Sequence, residues 1–117
     1  MKLQIQEQNL RFRIDENELA TLLSEEVLVN TLRLPDGEPF VQSLSLVKTE
    51  TAALETRALN WCLNLPKAVV EAYVERLPCR DALSFTLGNT DSLPLTVQFE
   101  VDVRDSVKKR GRNRKSP

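Results

Sequence analysis

Three arginines occupy positions from which they could bind an anion. Arg11 and Arg13 flank Phe12 in an alternating run, and Arg33 lies between two leucines. Alternate side chains of a strand lie on opposite faces, so the three guanidinium groups should point away from the apolar face. If their strands are neighbours, the three groups could bind a phosphate or a carboxylate-bearing ligand. The alternative is cross-strand pairing with glutamates on the same sheet.

A basic C-terminal tail is the second candidate site. Of the 16 Lys and Arg residues, six lie in this tail, which leaves ten against 17 Asp and Glu in the rest of the chain. Six charges could neutralise a few phosphates of a nucleic acid in a weak, salt-sensitive and sequence-blind way. The alternatives are contact with an acidic partner and a tail that only raises solubility and has no specific role. We expect the tail, residues 106–117, to be disordered. Its basic residues are Lys108, Lys109, Arg110, Arg112, Arg114 and Lys115.

Most familiar catalytic chemistries lack their residues in this sequence. Histidine is absent, which removes the commonest general base and zinc ligand, and three glycines cannot form a glycine-rich phosphate loop. Cys62 and Cys79 have no metal-ligand spacing. We therefore expect no cofactor, no metal and no enzymatic activity. A small enzyme that uses arginines and carboxylates is the remaining catalytic alternative.

The elements that would position these residues follow from periodicity and turn chemistry. Alternating runs at 2–6 and 10–14 predict a hairpin. Asp15, with Glu18 three residues later, predicts a capping box at the start of a helix. A second helix should start at Pro66 and end before Pro78. Further strands are expected at 27–34, 40–48, 54–65, 83–87 and 95–103, with the 54–65 strand bent near Ala58–Asn60.

The apolar pattern recurs after a shift of about 51 residues, so that Leu3 falls on Leu54 and Leu32 on Leu83. This pattern predicts an α+β fold with two ββαβ units in one antiparallel sheet of six or seven strands. One-sided alternation is typical of a sheet with one buried and one solvated face, so both helices should cover the same face. A strongly curved sheet or a part-closed barrel is the alternative.

Length and composition favour a single domain over residues 1–105. No apolar run approaches the roughly 20 residues that a membrane span needs, and residues 1–13 lack the apolar core of a secretory signal. With only two cysteines, a cytoplasmic location with reduced thiols is expected.

The N-terminal run MKLQIQEQNLRFRIDENELATLL resembles the opening of a small bacterial family of roughly this length that has no assigned activity. The resemblance continues at Leu65–Ala68, where that family also starts a helix after a Leu-Pro pair. It implies a bacterial cytosolic protein and transfers no catalytic residue. Members of that family commonly end in an acidic or polar tail, so the resemblance implies no role for the basic tail.

The leading functional hypothesis is a non-enzymatic binding or protein-interaction module that uses the solvated sheet face or the tail. An edge strand could also pair two copies into a homodimer. The second hypothesis is a nucleic-acid- or ribosome-associated accessory protein that acts through the tail. The acidic remainder of the chain counts against the second hypothesis, because it would repel phosphates.

Overall fold

A computed structural model describes residues 1–79, 81–88 and 93–103 as an α+β fold with eight strands and two helices. No helix in these ranges has both the length and the apolar character to span a membrane. The strands are β1 (Lys2–Gln6), β2 (Asn9–Asp15), β3 (Val27–Arg33), β4 (Pro39–Val47), β5 (Ala53–Arg57), β6 (Asn60–Pro66), β7 (Leu83–Leu87) and β8 (Leu95–Asp102). The helices are α1 (Glu16–Glu25) and α2 (Lys67–Glu75).

The strands form two mixed sheets. Sheet A has the order β1-β2-β8-β7 and sheet B the order β3-β4-β6-β5. In each sheet the two central strands are parallel, and the edge strands pair antiparallel with them. Helix α1 connects sheet A to sheet B, and α2 connects sheet B back to sheet A. The predicted single antiparallel sheet of six or seven strands is therefore wrong, and neither sheet closes on itself.

Part of this difference comes from the segment predicted as one long strand, 54–65. It is a hairpin of β5 and β6, in which Arg57 pairs with Asn60 around a two-residue turn. Ala58 makes that turn with a φ of 49°, a conformation that non-glycine residues adopt rarely. The indole N–H of Trp61 donates to the carbonyl oxygen of Ala58 at 3.0 Å and so supports the turn. The sequence predicted a bend near Ala58–Asn60 but not a reversal of the chain, because apolar residues continue on both sides.

The predicted start of α1 is confirmed. Asp15 Oδ1 accepts from the backbone N–H of Glu18 at 2.7 Å, and Glu18 Oε1 accepts from the N–H of Asp15 at 3.1 Å. These two bonds form the capping box and satisfy two N–H groups that a helix start leaves unpaired. The helix ends at Glu26, which has a φ of 63° and donates its N–H to the carbonyl of Leu22. This left-handed residue turns the chain directly into β3.

One core lies between the elements and receives residues from both sheets and both helices. Each sheet buries one face, as the alternation predicts. The buried apolar residues are Leu10, Phe12, Ile14, Val97, Phe99 and Val101 from sheet A, Leu28, Leu44, Leu46, Leu63 and Leu65 from sheet B, and Leu19, Leu22, Val70 and Tyr73 from the helices.

The outer faces of the two sheets differ in charge. Register places Lys2, Arg11, Arg13, Glu100 and Asp102 together on the outer face of sheet A. Apart from Arg33 at the end of β3, the central strands and β3 of sheet B present mostly small or β-branched uncharged side chains instead. They include Val27, Val29, Thr31, Val41, Ser43, Ser45, Asn60, Cys62 and Asn64. Sheet A therefore offers an electrostatic surface, whereas most of the outer face of sheet B is neutral.

Candidate functional site

Two of the three predicted anion-binding arginines lie together on the outer face of sheet A. Arg11 donates from Nε and Nη2 to Gln98 Oε1 at 3.2 and 3.0 Å. Glu100 Oε2 lies 3.7 Å from Arg11 Nη1 and 3.8 Å from Arg13 Nε, and Asp102 Oδ2 lies 3.3 Å from Arg13 Nη2. The parallel β2–β8 register creates this network, because it places Arg13 opposite Glu100. Cross-strand pairing of this kind was the alternative interpretation of the pattern.

Arg33 lies elsewhere. It is the last residue of β3 in sheet B and is exposed, whereas β2 has β1 and β8 as its neighbours in sheet A. The three guanidinium groups therefore do not lie on one sheet face. Alternation assigned each arginine to a solvated face correctly, but it carries no information about which strands become neighbours. Binding of an anion by Arg11 and Arg13 stays a prediction.

A cavity of about 510 Å³ adjoins Arg13. Pro78 and Cys79, which follow α2, line one side of it, and Arg13, Glu100 and Asp102 line the other. Arg13 Nε and Glu100 Oε2 are both buried and neither makes a hydrogen bond. A ligand anion in this cavity would compete with Glu100 for the guanidinium of Arg13, because the carboxylate already provides the nearby negative charge.

Removal of that competing charge gives a direct test of the anion site. In Glu100→Gln, we expect sulfate to bind roughly fivefold more tightly than in the wild type, because a unit charge at about 4 Å is worth on the order of 1 kcal/mol in water. Sulfate titration followed by the NMR signals of the Arg11 and Arg13 side-chain N–H groups measures the affinity. Glu55→Gln, on the exposed edge of sheet B, is the matched control. Equal sulfate affinity in all three proteins would contradict an anion site at these arginines.

Tyr73 of α2 bonds to Val101, which lines the same cavity, and the pKa of its phenol is raised. Its hydroxyl accepts the backbone N–H of Val101 at 3.4 Å, at a point of β8 beyond the last residue paired with β7. Burial raises the pKa of the Tyr73 phenol, the Val101 N–H lowers it, and Cys79 and Glu100 raise it. The phenol therefore stays neutral at physiological pH and holds α2 against β8, which is a structural contribution.

The edge of sheet B formed by β3 is a second candidate site. β3 exposes three large apolar side chains, with Val27 at 40%, Val29 at 58% and Leu32 at 52% of their full accessibility. It is seven residues long, and its one charged residue is Arg33 at the end. Natural edge strands are commonly short or carry charges or prolines that prevent pairing with another chain. Residues 27–32 have none of these protections.

The free backbone groups of this edge can be assigned from the ends of the β3–β4 hairpin. The N–H of Leu46 donates to the carbonyl of Glu26, and the N–H of Leu34 donates to the carbonyl of Glu38, each at 2.9 Å. Bonded pairs alternate along an antiparallel ladder, so the even-numbered residues of β3 bond to β4. The N–H and C=O groups of the odd-numbered residues consequently point away from the sheet. We call these groups the β3 edge; they belong to Val27, Val29, Thr31 and Arg33.

The other edge strands are less suited to pairing with a partner. β1, β5 and β7 have five residues each. β1 begins with Lys2, and β5 contains Glu55 and Arg57. β7 is uncharged, but its exposed side chains are Ser84 and Thr86, while its apolar residues are half-buried. Among the described edge strands, β3 is the longest, has no charge over residues 27–32 and exposes large apolar side chains.

The six basic residues of the predicted tail lie outside the described residues, so binding through the tail stays a prediction. Within the described ranges, no group of three or more His, Cys, Asp or Glu residues is arranged to hold a metal ion. The chain matches no family model, no curated protein and no solved structure. The resemblance of the N-terminal run therefore stays an expectation, and functional inference rests on the two surfaces above.

Proposed function

We propose that this chain is a non-enzymatic protein-interaction module that binds an extended segment of another polypeptide along the β3 edge. The observation that carries the proposal is the unprotected edge itself. Four residues there present backbone donors and acceptors outward in strand geometry, beside exposed valine and leucine side chains. In strand addition, main-chain hydrogen bonds supply affinity and alternate side chains supply specificity.

The neutral outer face of sheet B supports the same proposal. Strand addition extends a sheet sideways, so an incoming strand places alternate side chains beside Val27 and Val29. Ser43 and Ser45 of β4 stand opposite these valines and carry no charge. Arg33 lies at the end of β3 and can keep its charged group in water, so an added strand avoids the cost of desolvating a charge along residues 27–32. The outer face of sheet A, with its arginine and carboxylate network, would impose that cost.

We also infer that the two halves of the chain form a pseudo-repeat in which each predicted ββαβ unit gains one further strand, to give ββαββ, so that β7 is the counterpart of β3. The strand register supports this inference. Lys2 and Arg13 are cross-strand partners, and so are Ala53 and Asn64, which lie 51 residues later in the chain. In the second half of the unit the offset is about 55 residues and not 51, so Leu28 corresponds to Leu83 in place of Leu32, and the pair Leu28 and Leu44 recurs as Leu83 and Phe99. On this inference the two edges have diverged, and the longer β3 edge is the one that binds.

A capture experiment tests the proposed function. Tagged full-length chain is incubated with bacterial lysate, with and without nuclease, beside the variants Val29→Lys and Ile5→Lys. Ile5 is 64% exposed on the edge strand β1, so it matches Val29, which is 58% exposed on β3. We expect the wild type and Ile5→Lys to retain a protein that Val29→Lys loses, because a lysine on the edge opposes strand pairing.

Hydrogen exchange then locates the contact. The N–H groups of Val29 and Thr31 point outward, and a bound strand should slow their exchange, whereas the exchange of residues in β7 should not change. Retention of the same protein by both variants, or protection confined to other strands, would contradict the proposal. Capture that nuclease abolishes in every variant would instead favour the nucleic-acid hypothesis for the tail.

A further inference from the structure

We infer that the strand which occupies the β3 edge is β3 of a second copy of this chain, paired antiparallel about a twofold axis at Asn30. The inference rests on the proposed function, because it names the partner of that same edge. It joins the two copies of sheet B into one continuous eight-stranded sheet. Three features of β3 support it: its backbone register, its side-chain pattern and the charges at its ends.

The backbone groups favour this register. In a twofold antiparallel pair centred on Asn30, Val27 lies opposite Arg33 of the second copy, and Val29 lies opposite its Thr31. These are the four residues whose N–H and C=O groups point outward, so every free group of the β3 edge is satisfied. A centre at Val29 leaves the groups of Arg33 without partners in β3, and a centre at Thr31 does the same for Val27.

The side chains are also complementary in this register. Leu28 of one copy lies opposite Leu32 of the other, so the half-exposed Leu32 gains an apolar neighbour on the inner face. On the outer face, Val29 lies opposite Thr31, a pair of β-branched residues that suits a pleated surface. Val27 lies opposite the aliphatic stem of Arg33, whose charged end can remain in water.

The charges at the two ends of β3 have opposite signs. Glu25 and Glu26 directly precede the strand, and Arg33 ends it. Antiparallel pairing brings the end of one strand beside the start of the other, so each Arg33 approaches the glutamates of the second copy. A parallel arrangement would place like charges together at both ends. The ends therefore favour the antiparallel arrangement, and the uncharged middle of the strand adds no repulsion.

Oligomeric mass is the first test. A single edge-to-edge ladder is a small interface, so we expect a weak dimer whose mass rises with concentration over a range of about 10 to 500 µM. Val29→Lys should raise the dimer dissociation constant by about tenfold or more, and Ile5→Lys should leave it unchanged. Sedimentation equilibrium measures both, and circular dichroism shows whether Val29→Lys keeps its fold.

Disulfide trapping tests the register and stays informative if Val29→Lys unfolds. In a background with Cys62→Ser and Cys79→Ser, the variant Asn30→Cys should form an intermolecular disulfide under mild oxidation. Residue 30 faces itself across the axis as a non-hydrogen-bonded pair, with Cα atoms about 4.5 Å apart, which suits a disulfide. Thr31→Cys in the same background should form no intermolecular disulfide. In this register the Cα atoms of residue 31 in the two copies lie about 8 Å apart, and a disulfide needs less than about 7 Å.

The outcomes separate this inference from the proposed function. A wild type that stays monomeric at all concentrations, together with no trapping at position 30, overturns the self-pairing inference. In that case, a lysate protein that Val29→Lys alone loses still supports strand addition at β3 by another partner. Trapping at position 31 and not at position 30 overturns the register. A dimer that Val29→Lys does not weaken overturns the inference, because the copies then meet elsewhere.

Discussion

Replacement of Phe99 with alanine should lower the free energy of unfolding by about 3–5 kcal/mol. Phe99 is fully buried at the centre of β8. It lies opposite Phe12 of β2 on one side and Leu83 of β7 on the other. Its ring also packs edge-on against Tyr73 of α2, with centroids 6.1 Å apart. One side chain thus joins three strands to a helix, and its loss leaves a cavity that all four elements border.

The magnitude matters because domains of this size are stable by only about 5–15 kcal/mol. A decrease of about 4 kcal/mol would be a large part of that stability. Phe99→Ala should therefore unfold at a much lower urea concentration than the wild type. Phe99→Leu keeps most of the apolar volume and should cost less. Leu93→Ala is the control, since Leu93 is 73% exposed. Equal unfolding midpoints for Phe99→Ala and Leu93→Ala would contradict the assignment of Phe99 to the core.

Local features of the fold could be predicted from the sequence, because they depend on neighbouring residues. The capping box of Asp15 and Glu18 is such a feature. The turn between the predicted strands 27–34 and 40–48 is another, since Pro35, Asp36 and Gly37 are typical turn residues. Gly37 has a φ of 90° and donates its N–H to the carbonyl of Leu34. Alternation in β2 and β8 also identified the buried face correctly, including Phe12 and Phe99. In each case the residue types restrict the local conformation directly.

The division into two sheets could not be predicted in this way. Alternation determines which face of a strand is buried, but the partner of that strand depends on contacts between distant residues. β2 pairs with β8, from the other end of the chain, and it does so in parallel. At Ala58 the sequence predicted a bend but not the tight turn, because the positive-φ position holds neither glycine nor proline.

The candidate sites show the same limit. The prediction that Arg11 and Arg13 share a solvated face agrees with their positions on β2, but Arg33 belongs to the other sheet. The β3 edge could not be identified from its own residues, because VLVNTLR is equally compatible with a central strand. Only the strand order shows that one side of β3 has no partner among the described strands.

Substitution of Tyr73 by phenylalanine should destabilise the protein by about 1 kcal/mol at neutral pH, because it leaves the buried N–H of Val101 without its acceptor. We expect no more than this average loss in the free energy of unfolding for a hydrogen bond between uncharged groups, because the bond is long, at 3.4 Å. Chemical unfolding at pH 7 measures the difference. Phenylalanine preserves the edge-on contact with Phe99, so the comparison isolates the hydroxyl.

The pH dependence of that difference gives a sharper result. Burial raises the pKa of the folded Tyr73 phenol above its ordinary value of 10.0, at which the unfolded chain titrates. Below pH 10 both states hold the proton, and the phenol adds no pH dependence. Above about pH 10 the unfolded state releases the proton first and is stabilised, so the free energy of unfolding falls as pH rises towards the folded pKa.

Tyr73→Phe lacks the phenol, and every other side chain is the same in the two proteins. The stability advantage of the wild type over Tyr73→Phe should therefore be constant from pH 7 to about pH 10 and shrink above it. Unfolding curves at pH 8, 10 and 11 measure the trend. An advantage that stays constant to pH 11 would mean that the phenol ionises equally easily in both states. It would then lie in contact with water, and α2 would not seal the end of β8 as the buried Tyr73 indicates.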